Sequence, residues 1–417
     1  MKRFFQGSKI GRLLLIALLI RLVLIPLAFH SDLTTNSIWG IYAKEFGLRG
    51  YYDWLNFGNY ARPEYPPLST LLFLKLRILY EFIFAVFWKI NVLIPEFPSL
   101  FIVWLDKFGY LSLLKLPGIL GDLGIGYLIF RFTKSKFASS LYLFNPGVIY
   151  LSSVWGQTEA FVGFFALLSL YFAVSKNHFR SVFSFLTSIL TKATFLPILP
   201  LVFIQFFKNK IKPAAVLGIS TLSVSVAAGV GYFFTDHNFL GWMIAGYTDK
   251  FLTAGGGALP FINLNAFNFW GVIFGLERVS DKVIFLNAPV SLWAYGISFL
   301  LSIPVLLKFI RGRIDIYTSA LLISFIVFMF MPNMHERYFY PVFLFFPVVL
   351  AKFERFKKIF FLLSLLFLIN LYHWWWVPRV EFLVGLLDNN ITVWILSALN
   401  LGAFFYLYGT LNRNSQS

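Results

Sequence analysis

Apolar residues run in stretches of about 18 or more from Leu13 to Leu407, separated by short polar breaks, as in stacked membrane-spanning helices. The pattern predicts an all-α polytopic transmembrane protein of about ten to thirteen helices. It reads as one domain over 1–417, with a long first outer loop over 31–108 that carries interfacial helices. No internal repeat or low-complexity stretch is evident.

Two segments do not fit a simple spanning helix. Pro67 to Leu93 is long enough to span, but Arg77, Glu81 and Lys89 fall on one helical face, which suits a helix lying on the outer leaflet. Ser181 to Phe207 has basic residues at both ends, with Thr191-Lys192, Pro197 and Pro200 inside. That composition fits two half-helices that enter and return, because broken backbone at depth is tolerated where it lines a cavity.

Polar breaks sort by charge into two alternating sets. The basic set comprises Lys2 to Arg12, Arg131 to Lys136, Lys176 to Arg180, Lys208 to Lys212, Lys308 to Arg313, Lys352 to Lys358 and the tail near Arg413. The positive-inside rule places it, and both termini, in the cytoplasm. The outer set is Ser31 to about Phe108, Trp155 to Glu159, Thr235 to Lys282, Asn333 to Arg337 and Tyr372 to Asn390. Trp374-Trp375-Trp376 and the rings between Trp39 and Tyr60 suit an interfacial belt, with ligand stacking as the alternative. Met1-Lys2-Arg3 before Leu13 to Phe29 looks like a signal peptide. Arg21 interrupts the run and no small-x-small cleavage site follows, so an uncleaved first helix is expected.

Composition narrows the chemistry. The 417 residues are 59% hydrophobic and 13% charged. Mean hydropathy is +0.76, outside the soluble range. The net charge of +17 is dispersed between apolar runs and makes no clustered patch, so nucleic-acid binding is not expected. Cysteine is absent, which excludes disulfides, thiolate metal sites and cysteine nucleophiles.

Four polar clusters stand at outer helix ends, where water reaches. His30-Ser31-Asp32 places a carboxylate after the first helix; Asp32 is either a general base or a loop acid facing water. Arg62-Pro63-Glu64-Tyr65-Pro66-Pro67 launches a helix, and its prolines alone are ordinary punctuation. Asn145-Pro146 leads to Trp155-Gly156-Gln157-Thr158-Glu159, where capping accounts for Thr158 and Glu159 but not for Trp155 and Gln157. Met334-His335-Glu336-Arg337-Tyr338 sets three ionisable residues between strongly apolar helices. Arg337 and His335 suit a phosphate clamp, the alternative being a solvated turn with a local Glu336–Arg337 pair. Within the bilayer, Arg21 or Lys192 is a candidate partner for Asp122, as a structural pair or in a polar cavity.

In order, these clusters resemble the C-type (GT-C) integral membrane glycosyltransferases, over nearly the whole chain. The likeness rests on Asp32, Glu64-Tyr65-Pro66-Pro67, Lys115-Leu-Pro-Gly-Ile-Leu-Gly-Asp122, Asn145-Pro146, Trp155-Gly-Gln-Thr-Glu159, Thr191-Lys192-Ala, Leu264-Asn-Ala-Phe-Asn268-Phe-Trp270 and His335-Glu-Arg-Tyr338. It is most similar to the microbial glucosyl- and mannosyltransferases of lipid-linked glycan assembly. The resemblance implies an inverting transfer of a hexose from a polyprenyl-phosphate donor to a glycan, lipid or protein acceptor outside the cytoplasmic membrane. It implies Asp32 as base and His335 and Arg337 on the donor phosphate. Lys192 is expected to add positive charge there, and Glu64, Tyr65, Trp155, Gln157, Glu159, Glu336 and Tyr338 to line the substrate site. Glu159 stands where the family more often has Asp, and the first loop lacks a paired Asp-x-Asp or Glu-Asp. No metal or other cofactor is therefore expected.

A transporter or lipid-sugar flippase is the rival from another class, since composition and helix number suit it equally. Transporters usually hold polar residues near mid-membrane and show repeated halves, a pattern not seen here. A polymerase or ligase acting on lipid diphosphates is a third reading, although such enzymes generally carry a large late outer loop.

Overall fold

The computed structural model describes residues 2–53, 57–58, 60–235 and 260–413, with side chains from Ile10 to Leu411. Much of the outer segment expected over Thr235–Lys282 lies outside the described residues, as does the tail beyond Arg413.

Helices make up almost all regular structure, as the long apolar runs require. α1 (Lys2–Leu24) leads through a short turn to α2 (Ser31–Phe46), α3 (Pro67–Leu93) and α4 (Ser99–Thr133). α5 (Lys136–Leu143) and α6 (Pro146–Ile149) run into a π-helical turn over Tyr150–Trp155. Then come α7 (Glu159–Val174), α8 (His178–Thr191), α9 (Leu199–Lys208) and α10 (Pro213–Phe234). The last part holds α11 (Phe269–Phe274), α12 (Val290–Ile310), α13 (Ile316–Phe330), α14 (Tyr340–Leu350), α15 (Lys357–Trp375), α16 (Glu381–Leu387) and α17 (Asn390–Arg413).

The protein is an all-α polytopic membrane protein. Six stretches among the described residues are long and apolar enough to cross a bilayer: Ile10–Leu27, Ser99–Thr133, Pro213–Phe234, Val290–Ile310, Glu354–Trp375 and Asn390–Leu411. Glu159–Val174, Ala193–Lys208 and Ile316–Phe330 are shorter apolar helices. The expected outer loop over 31–108 is itself mostly helix, comprising α2, α3 and the start of α4. Pro67 occupies the first turn of α3, where its missing N–H costs nothing.

The centre of the fold is α14. Every residue from Tyr340 to Leu350 is buried, and at 11 residues it is about 16 Å long, too short to span. Protein, not lipid, surrounds it: Phe343 stacks on Phe367 of α15 at 4.8 Å, and Phe345 meets Phe195 edge-on. A 3-10 turn over Glu336–Phe339 launches this helix, so Arg337 stands at the head of a fully buried element.

Among the described residues, four two-residue strands tie loop segments between the helices. β1 (Asn263–Leu264) runs parallel to β4 (Met334–His335), pairing Asn263 with Met334 and Leu264 with His335. β2 (Ile284–Phe285) and β3 (Ala288–Pro289) form an antiparallel pair. The polar residues of 263–270 serve this junction. Asn268 donates to Phe328 O at 3.1 Å, Trp270 Nε1 to Phe330 O at 2.8 Å and Asn370 to Asn265 O at 2.6 Å.

The segment over Ser181–Phe207 is broken as its prolines suggest. α8 stops at Lys192, whose backbone is extended, a 3-10 stretch over Ala193–Ile198 follows, and α9 returns. Both feet meet at the basic end, where Asn209 Nδ2 lies 3.4 Å from His178 Nε2 and also donates to Ala173 O of α7 at 2.6 Å. Lys192 therefore stands at the apex of a hairpin.

Candidate functional site

A cavity of about 480 Å³ is lined by Asp32, Glu64, Tyr65, Lys192, Arg337 and Tyr338, together with Trp39, Phe195, Val327 and Met331. Six of the eleven candidate residues thus share one chamber.

Asp32 is not a loop acid. It sits in the first turn of α2, where unpaired N–H groups and the helix dipole favour an anion. Its carboxylate Oδ2 accepts from Trp155 Nε1 at 3.2 Å and from Gln157 Nε2. The side chain is 31% exposed, but to the recess rather than to an open surface. His30 Nδ1 lies 3.0 Å from the Asp32 amide and 3.3 Å from its carboxylate. As a neutral ring it accepts the amide and caps α2; protonated, the same nitrogen donates to the carboxylate. Burial alone raises the Asp32 carboxyl. Hydrogen bonding with His30, the Arg337 guanidinium and the Trp155 bond outweigh it and hold the group well below the usual carboxylate range.

Lys115 joins the two chain segments that meet here. Its ammonium, in the middle of α4, donates to Ile25 O (2.8 Å) and Ala28 O (2.6 Å) just before Asp32. It also reaches Ser153 O (3.0 Å) and Val154 O (2.9 Å) just before Trp155. The neighbouring glycines let α4 come close. A Cβ on Gly118 would lie 2.5 Å from Gln157 O, and one on Gly121 would lie 2.4 Å from the Ala160 carbonyl carbon. The Lys115 to Asp122 segment is therefore scaffolding for the chain that carries Trp155 and Gln157.

Lys192 forms a buried ion pair with Glu159, lies 3.4 Å from Gln157 Oε1 and sits over the Tyr65 ring at 4.7 Å. This corrects the capping reading of Thr158 and Glu159. Thr158 makes no side-chain cap to α7, its Oγ1 has no partner among the described residues, and Glu159 turns inward to the lysine. A buried ammonium outweighs a helix cap.

On the turn before α14, Glu336 is fully buried and its Oε1 accepts from Arg337 Nη1 at 3.3 Å. The Arg337 side chain is 13% exposed and its Nε has no partner among the described residues. The Glu336–Arg337 pair thus exists, but in an enclosed turn rather than a solvated one. His335 and Glu336 do not line the cavity. The His335 ring packs against Tyr338 and Trp374, and its Nδ1 is 3.8 Å from Glu336 Oε2, beyond hydrogen-bond range. Burial, then the neighbouring guanidinium, pushes this histidine below its ordinary range, so it is uncharged at neutral pH.

The intramembrane charges resolve into separate pairs. Arg21 Nε donates to Asp122 at 2.9 Å, Tyr142 donates to the same carboxylate at 2.7 Å, and Tyr340 meets Tyr142 at 2.6 Å. This chain joins α1, α4, α5 and α14 without reaching the cavity.

Trp375, read from its run as an interfacial anchor, packs instead behind the cavity lining: with Trp155 it encloses the His30 ring at 4.8 and 4.4 Å. A Trp-Trp-Trp run gives no sign of which ring turns inward. Among the described residues, no three His, Asp or Glu side chains converge as metal ligands. No protein-family model matches the sequence, and no curated protein is significantly similar to it.

Proposed function

We propose that this protein is an inverting membrane glycosyltransferase of the GT-C kind, moving a hexose from a polyprenyl-phosphate donor to an acceptor hydroxyl. One observation carries the reading: a carboxylate on α2 and a guanidinium from the turn more than 300 residues later line the same chamber.

In the proposed reaction Asp32 takes the proton of the acceptor hydroxyl as its oxygen attacks the anomeric carbon. The bond from that carbon to the phosphate oxygen breaks, and its electrons leave with the lipid phosphate. Such a leaving group needs positive charge, not a strong acid. Arg337 supplies it, with its unpartnered Nε, and Lys192 adds to it although Glu159 partly neutralises it. His335 is assigned no direct phosphate contact here, because its ring stands outside the cavity wall. Glu64, Tyr65 and Tyr338 line the space where a sugar would rest, whereas Trp155 and Gln157 hold Asp32. Phe195, Ile198, Val327 and Met331 give that space an apolar side, suited to the start of a prenyl chain.

The depressed Asp32 pKa fits this order of events. In the resting site Arg337 stabilises the carboxylate and makes it a weak base. A phosphate dianion or diester on Arg337 would take up that charge and let the Asp32 pKa rise, so donor binding strengthens the base. By the positive-inside rule the chamber faces the outside of the membrane.

The test is incubation of purified full-length protein with a panel of polyprenyl-phosphate sugars and candidate acceptors, reading free polyprenyl phosphate by mass spectrometry. Release with an inverted glycosidic product supports the transferase. A transporter or flippase leaves every donor intact.

A further inference from the structure

The described residues hold a second cavity of about 480 Å³ at the other end of α13. The first cavity touches α13 at Ser324, Val327 and Met331, whereas the second touches it at Ile316, Tyr317 and Thr318. Ile316–Phe330 is about 22 Å long, so the two cavities lie toward opposite ends of one apolar helix. The second cavity lies where the basic chain breaks at Lys208, Arg313 and Lys352 converge.

Its rim carries Lys208, Arg313 and Lys352 against a single acid, Asp315. Asp315 is already engaged. It caps α13 through Tyr317 N (2.9 Å) and Thr318 N (3.2 Å), accepts from Thr318 Oγ1 (2.7 Å) and pairs with Lys352 at 3.2 Å. Lys208 gives one N–H to Phe309 O at 2.8 Å, which leaves two donors. The Arg313 side chain is exposed and makes no hydrogen bond or ion pair among the described residues. Behind these heads the wall is apolar, with Val174, Phe309, Ile314 and Leu411.

Net positive charge at the mouth and hydrocarbon behind it match an amphiphile with an anionic head. We propose that this cavity binds the phosphate headgroup of an anionic phospholipid, with Arg313, Lys352 and Lys208 around the phosphate and the apolar wall along the first acyl carbons. The apolar wall argues against a free anion, which would gain nothing from it. The site is separate from the transferase chamber and does not depend on that reading.

The test is native mass spectrometry of the full-length protein titrated with phosphatidylglycerol, phosphatidylcholine or inorganic phosphate. The expected result is a preference for phosphatidylglycerol that R313Q/K352Q weakens by about 25-fold, from the usual contribution of two basic side chains near a membrane. K134Q/R180Q removes two exposed cations from the same face outside the cavity and should change it by less than about threefold, since screening limits their reach. R313Q alone should cost about fivefold. Because its side chain is exposed and makes no hydrogen bond among the described residues, it keeps the test open if the double variant does not fold. Equal losses in both double variants, no effect of R313Q, or displacement of the lipid by millimolar inorganic phosphate would each overturn the proposal.

Discussion

Asp32→Asn removes a proton acceptor while keeping nearly the same shape. Trp155 Nε1, at 3.2 Å, and Gln157 Nε2 both donate to one carboxylate oxygen, and an amide oxygen in that place accepts both. The first turn of α2 should therefore stay folded. Loss of a general base costs about 10²- to 10⁴-fold in turnover, or roughly 3 to 5 kcal/mol of barrier. Deleting the negative charge that faces Arg337 also leaves the guanidinium freer to hold a phosphate, so donor KM should stay level or fall while kcat drops. The assay is release of polyprenyl phosphate at saturating donor, paired with thermal melting of the same sample. Turnover within about threefold of the parent protein, far less than the loss of a base predicts, would refute the role of Asp32.

Stability should carry the same signature. The Asp32 carboxyl is held below its ordinary range, so its contribution is fully present above its unfolded pKa of about 4 and is lost as pH falls through the folded value. The melting difference between the parent and Asp32→Asn should stay flat from pH 8 to about 5 and shrink only in stronger acid. Lys192→Met leaves buried Glu159 uncompensated and should cost about 3–5 kcal/mol by thermal or denaturant melting; adding Glu159→Gln should recover most of that without restoring donor release. Lys115→Met strips four carbonyls of their shared donor, and both melting point and turnover should fall, although Lys115 does not line the cavity. Gly121→Ala should destabilise by about 1–3 kcal/mol because its Cβ meets backbone, whereas Gly402→Ala, with open space around it, should be neutral or stabilising in the same melts.

Helix content and the polar interruptions are legible in the sequence because a charge between apolar runs is costly and conspicuous. Asp32, Lys192 and Arg337 stand out for that reason, as does the break at Thr191-Lys192. Partners are not legible. By sequence either Arg21 or Lys192 can pair with Asp122, and only the packing of the chain assigns Arg21 to it and Lys192 to Glu159. Local rules also mislead where a tertiary contact is stronger: Thr158 and Glu159 stand where a cap is expected, but the glutamate turns to a lysine more than 30 residues away. Lys115 offers no local sign of its role, since four carbonyls from two distant segments converge on it only in the folded chain. The outward set of polar breaks includes 263–270, whose asparagines brace the junction behind the His335–Arg337 turn rather than face the cavity.

The hairpin of α8 and α9 acts as a fixed post. Its feet meet where Asn209 Nδ2 lies 3.4 Å from His178 Nε2, and the 14 residues of α8 raise its tip by about 21 Å. The height of Lys192 above the basic surface is therefore a property of the polypeptide and not of the surrounding lipid. In a thicker or thinner bilayer the ammonium keeps its level, and what changes is how far a lipid-anchored molecule must rise or sink to meet it. If the proposed lipid-linked donor is the substrate, membrane thickness would then select among carrier lipids without altering the chamber itself.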